Sequence, residues 1–118
     1  MDPRAIVDPL ALSRQIQSSY HNRSLGLVND HEVRLSIMTE AFAWHLHPYS
    51  DEAFLAVEGG LIIEFGDRSV ELAPGEILIV PKGVLHRTRP VGARSVNLTF
   101  EKADAATVFG DTPPATDG

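Results

Sequence analysis

Trp44-His45-Leu46-His47-Pro48-Tyr49-Ser50-Asp51-Glu52 is the stretch from which the fold of this chain is read. Two histidines separated by one residue cannot share an ion on a helix, where positions i and i+2 point about 200° apart. On a strand, alternate side chains project from one face, so His45 and His47 meet there. Pro48 and the Tyr49-Ser50-Asp51 run have the composition of a turn, which lets Glu52 open the next strand beside the histidines. Three metal-competent side chains converge in this reading, and strands carry them.

A fourth candidate lies in Gly75-Glu76-Ile77-Leu78-Ile79-Val80-Pro81-Lys82-Gly83-Val84-Leu85-His86, where an apolar strand runs into a Pro/Gly turn and a second strand carries His86. With both stretches in view the chain resembles the cupin family. The family's first motif, G-x5-H-x-H-x3/4-E-x6-G, is matched from His45 through His47 and Glu52 to Gly59. Its second, G-x5-P-x-G-x2-H-x3-N, is matched by Gly75, Pro81, Gly83 and His86. The fifteen residues between Gly59 and Gly75 are similar to the short spacing of small bacterial cupins, some of which are described as mannose-6-phosphate isomerase-like. Two ordered motifs are far more specific than a lone H-x-H. Thr39 and Pro90 depart from the motifs' first Gly and last Asn; neither position is a metal ligand in the family. The resemblance covers about residues 24–100. It implies an all-β jelly-roll barrel and one divalent metal held by His45, His47, Glu52 and His86. Nitrogen and oxygen ligands suit Zn, Fe, Mn, Ni or Cu.

The rest of the chain reads consistently with this. Its 118 residues amount to one domain. Asp8-Pro9 before Leu10, Leu12 and Ile16 predicts a short helix over about residues 9–17, with Asp8 as its cap. Leu25, Leu27 and Val28 predict a first strand, closed by an Asn29-Asp30 turn. Residues 17–23 carry no clear signal. Val33, Leu35 and Ile37 alternate with Glu32, Arg34 and Ser36 as a half-buried strand. From Phe42 the alternation sends Ala43, His45 and His47 to the cavity and Phe42, Trp44 and Leu46 outward, with Trp44 equally readable as core or as subunit interface. Strands over 53–58, 61–65, 68–72, 77–80, 84–89 and 95–100, separated by Gly and Pro turns, complete a barrel. The tail over 102–118 is rich in Ala, Thr, Asp and Pro, with one apolar pair at Val108 and Phe109. Its composition is that of a loose segment, and docking on a partner subunit is one way to hold it.

Composition limits the partners. A net charge of −6 with no basic cluster excludes nucleic acid and anionic membrane surfaces. No apolar stretch reaches membrane-span length. The absence of cysteine removes disulfides and thiolate chemistry, and the acidic, Pro-containing start is unlike a secretion signal, so the expectation is a cytoplasmic protein. The outward aromatic stripe and the family's habit of pairing barrels imply a homodimer. His21 and His31 are expected at the surface, and Arg87 and Arg89 facing solvent or acids.

By strand parity, Ala43, Phe54, Ala56, Val84 and Thr88 share the metal's face, so the pocket is expected to be compact and mostly apolar. The first functional reading is a metal-dependent enzyme acting on a small molecule, of the dioxygenase or isomerase type that the resemblance implies. The second is a binding or sensing module with the same site. A purely structural metal is disfavoured, because closed structural sites are typically cysteine-rich.

Overall fold

The computed structural model describes residue 2 and residues 4–111. One helix and ten strands follow in order: α1 (Pro9–Arg14), β1 (Tyr20–Val28), β2 (His31–Met38), β3 (His45–Leu46), β4 (Glu52–Glu58), β5 (Leu61–Glu64), β6 (Ser69–Leu72), β7 (Ile77–Val80), β8 (Arg87–Pro90), β9 (Ser95–Lys102) and β10 (Val108–Phe109). A five-stranded antiparallel sheet in the order β1-β2-β9-β4-β7 packs against a three-stranded sheet, β6-β5-β8. A two-stranded ribbon, β10-β3, completes the barrel. The all-β expectation holds.

Pleat parity divides the large sheet. Along β4, Glu52, Phe54 and Ala56 are buried while Ala53, Leu55 and Val57 are half-buried. Register then carries the inner face across: Phe54 opposes Thr99, which opposes Arg34, and Ala56 opposes Asn97, which opposes Ser36. Between the sheets, Met38, Phe54, Ala56, Leu61, Ile63, Leu72 and Val80 form the core. The outer face has its own apolar cluster, in which Leu12 and Ile16 pack on Leu35, Ile37 and Val96. Helix α1 therefore serves as a cover for that face. Its start is as expected, with Asp8 accepting a hydrogen bond from the Ala11 N–H at 3.1 Å.

Two glycines of the motifs have identifiable tasks. Gly59, in the β4–β5 turn, has φ +81°, and a Cβ there would lie 2.0 Å from the Arg94 carbonyl oxygen. Gly83 has φ +80°, and its N–H donates to the His47 carbonyl at 2.9 Å, tying the second motif's turn to the first motif's strand.

Several expectations are corrected. β1 starts at Tyr20, so part of the stretch without a signal is strand. The helix ends at Arg14, short of the expected 17. The regular strand expected from Phe42 is only His45–Leu46, because its ladder partners are local: β10 on one side and the His86 bridge on the other. Of the two readings of Trp44, the core one holds within this chain. The side chain is buried, and the Arg87 guanidinium stands over its ring at 5.1 Å. Phe42 turns inward and stacks on Tyr20, ring centroids 5.1 Å apart. The apolar pair Val108 and Phe109 is held by the chain's own β3, with the Gly110 N–H donating to the Trp44 carbonyl at 3.0 Å. Residues 112–118 of the expected tail lie outside the described residues. Arg87 and Arg89 do meet an acid, the Glu64 carboxylate, at 3.3 and 2.6 Å.

Candidate metal centre

Four of the expected residues come together. One donor atom from each of His45, His47, Glu52 and His86 can be chosen so that all lie within 4.8 Å of one another, and all four residues are buried. Strand β3 brings His45, the residue after it brings His47, β4 brings Glu52, and the bridge to β3 brings His86. The bridge is reciprocal, each backbone N–H donating to the other's carbonyl at 2.9 Å.

The ring orientations follow from the backbone. The Nδ1 atoms of His45, His47 and His86 lie 2.8, 2.7 and 2.9 Å from the carbonyl oxygens of Ala43, Ala106 and Val84. A carbonyl only accepts, so each Nδ1 carries a proton and donates it, and each Nε2 is the atom left to bind an ion. Nε2 of His47 and of His86 have only Oε1 of Glu52 beside them, at 3.1 and 3.4 Å, and none of the three buried atoms has a well-formed hydrogen bond to any other group. Left to one another in a buried space, these atoms are poorly satisfied, at a cost of about 1–3 kcal/mol. Ligation by a cation relieves that cost, so the donor set fits a divalent metal.

Charge follows the same geometry. Burial pulls the His45 imidazole down to about 4, so that ring is neutral at pH 7. Burial alone would also lower His47, but the Glu52 carboxylate at 3.1 Å, the Ala106 carbonyl and the Glu101 charge outweigh it and hold this ring at about 9. Glu52 responds in the opposite sense. Burial raises its carboxyl, but His47 and His86 prevail and keep it below the usual carboxylate range.

A cavity of about 520 Å³ opens beside the centre, with His45, His47, Glu52 and Phe54 in its wall. Of the other residues assigned to the wall by parity, Ala56 lies in the inter-sheet core and Val84 packs on that core. Thr88 is buried, its carbonyl accepting from the Phe42 N–H. Ala43, outside any strand, contributes its carbonyl to His45. Parity selects the inner face, but position along the strand decides whether a residue meets core or cavity. The wall carries more polar groups than expected, since Tyr20, Asn22, Glu32, Arg34 and Glu101 line it. These residues were missed because the polar side of β2 reads as solvent-facing. The signal was α1: its apolar stripe needs an apolar sheet face outside, which leaves Glu32 and Arg34 inside.

Comparison with known proteins agrees with this fold. A cupin domain model matches residues 31–100. The chain belongs to the cupin family. Among relatives of this chain, the "Uncharacterized protein YdbB" of Bacillus subtilis is 42% identical over 106 residues, covering 89% of this chain and 93% of that protein. The polyketide synthase CurC of Streptomyces cyaneus is 31% identical over 67 residues, 57% of this chain and 44% of CurC. A cupin-2 domain containing protein from Shewanella frigidimarina superposes with a TM-score of 0.76 at 27% identity, over 82% of this cupin and 94% of that chain.

Proposed function

We propose that this cupin is a metal-dependent enzyme acting on a small molecule that carries a keto or enol group. The observation that carries the reading is the set of three imidazoles, each fixed at Nδ1 by a backbone carbonyl, whose Nε2 atoms gather with Glu52 beside a cavity. The name of CurC supports the substrate class, since polyketides are built of keto groups; this chain spans under half of CurC, so the class is a proposal here.

When bound, the ion supplies a Lewis-acidic or redox-active position. The chain's own residues do the rest. Ala43, Ala106 and Val84 hold the rings, and the stacked Phe42 and Tyr20 form an aromatic wall that narrows the cavity and displaces water. Reconstitution of metal-free protein with Fe(II), Mn(II), Ni(II) or Zn(II), followed by a screen of enolic, catecholic, keto-acid and sugar substrates for oxygen uptake or isomerisation, tests the reading. Turnover by at least one metal form is expected. Binding that needs the metal, without turnover of any substrate, would replace it with a sensing role.

We further propose a homodimer, on different residues from those the sequence pointed to. Ile79 of edge strand β7 registers with Ala53, which registers with Phe100, and Ile77, Ile79 and Phe100 are exposed on the outer face. A second copy covering this patch would remove both the apolar surface and the open edge. Light scattering at micromolar concentration is expected to give twice the chain mass, falling to the monomer in Ile79→Glu.

A further inference from the structure

We infer that Glu101 is the residue that orients a hydroxyl-bearing ligand at the metal centre, by accepting that ligand's hydrogen bond. The inference rests on the proposed metal reading and adds the class of group that the open side of the centre receives. Glu101 lies on β9 opposite Glu32, on the cavity face of the large sheet. Its Oε2 is buried, has no hydrogen-bond partner, and sits 3.5 Å from the Nε2 of His47.

A buried carboxylate oxygen without a donor is costly and is kept where something else supplies one. His47 cannot be that donor in the loaded protein. Its Nδ1 proton is given to Ala106, and its Nε2 lone pair is given to the ion. Arg34, in the same wall, is turned to other partners: its Nη1 donates to Glu32 at 2.6 Å and its Nε donates to Asn22. With the Glu101 carboxyl ionised, the remaining source of a proton for Oε2 is a group bound at the centre from the cavity side. A hydroxyl, whether of water, an enol or a phenol, satisfies Glu101. An anion without a proton meets an acceptor there and is repelled.

The test uses full-length protein loaded with Co(II), as wild type, Glu101→Gln and Glu52→Gln, with metal affinity measured by competition and azide affinity by the Co(II) visible spectrum. The side-chain amide introduced by Glu101→Gln offers azide a donor, so this variant is expected to bind azide about tenfold more tightly while holding Co(II) within about threefold of wild type. Glu52→Gln is expected to lose Co(II) affinity by tenfold or more. Unchanged azide binding in Glu101→Gln would overturn the inference and leave the metal reading standing. A loss of Co(II) in Glu101→Gln equal to that in Glu52→Gln would make Glu101 a ligand and overturn it too. Failure of wild type to take up Co(II) would remove the metal reading itself, and this inference with it. Thermal melting checks folding; if Glu101→Gln does not fold, Glu101→Asp, whose carboxylate is withdrawn by one methylene, is expected to show an intermediate gain in azide affinity, and no gain overturns the inference.

Discussion

The Nδ1 of His47 lies 2.7 Å from the carbonyl oxygen of Ala106, a residue 59 positions further along the chain. Ala106 itself has φ +55°, a left-handed conformation that a non-glycine residue adopts only under constraint. The constraint is visible on both sides: Ala105 is buried, and Val108–Phe109 pairs with His45–Leu46. The segment after β9 is therefore part of the support of the candidate metal centre.

Truncation after Asp104 tests that support. No strand of the five- or three-stranded sheet lies in the removed segment, so the protein should still melt cooperatively. His47 would lose the acceptor that fixes its tautomer and ring plane. Loss of such a partner typically costs 10- to 100-fold in metal affinity, and calorimetric titration with Zn(II) should show a fall of that size. Unchanged affinity would mean that His47 is oriented without Ala106.

Binding of metal should depend on pH through His47. In the metal-free protein this ring is held at about 9, so at pH 7 it carries a second proton, on the nitrogen the ion needs. Between pH 6.5 and 9 the apparent affinity should rise about tenfold per pH unit, with about one proton released on binding, seen as a buffer-dependent calorimetric enthalpy. Stability of the metal-free form runs the other way. A folded-state pKa above the unfolded value of about 6.5 gives stabilisation that is complete below that value and lost as pH rises through about 9. The melting temperature should fall over that window without metal, and fall less with it.

How much of this was legible in the sequence depended on how local the cause was. His45, His47 and Glu52 are named by short spacings that strand parity and one turn bring together, whereas His86, which alone reads as a surface residue after a Pro-Lys-Gly turn, is reached through the resemblance to the cupin motifs. Asp8 as a cap and Asn29 at a positive φ of 55° are equally local, since each answers to one or two neighbours. The polar cavity wall was not legible in that way. Glu32 and Arg34 face inward because Leu12 and Ile16, some twenty residues earlier, cover the opposite face of β2. Glu101 belongs to the site because β9 lies between β2 and β4, a consequence of sheet order. The outward reading of Phe42 failed for a related reason: alternation was extended past the point where the chain has a ladder partner to keep it regular.

The two kinds of motif glycine can be separated by substitution. Gly59→Ala meets both a positive φ and the Arg94 carbonyl at 2.0 Å, so the turn must move; a loss of about 2–4 kcal/mol in urea denaturation is expected. Gly75→Ala meets only a positive φ of 92°, with nothing within 4 Å of the added carbon, and should lose about 1–2 kcal/mol. Equal losses would mean that Arg94 yields without cost.

His86→Ala separates a ligand's role from a core residue's role, because His86 is both. Its side chain is 1% exposed, its ring stands edge-on to Phe54 with centroids 6.0 Å apart, and its Nδ1 donates to Val84. Removing the ring leaves a void and an unpaired carbonyl, worth about 1–3 kcal/mol of stability without metal. Those losses are partly offset, since Nε2 is buried with only the Glu52 carboxylate, 3.4 Å away, beside it. The metal part appears only in the difference between loaded and unloaded protein. Wild type should gain stability on adding Zn(II) as the logarithm of concentration over Kd, and His86→Ala should gain less at every concentration because its Kd is higher. Elemental analysis of protein purified without chelator should show the same order, with metal content reduced at least severalfold in the variant. Equal metal content and equal stabilisation by Zn(II) would leave His86 a core residue and reduce the ligand set to His45, His47 and Glu52.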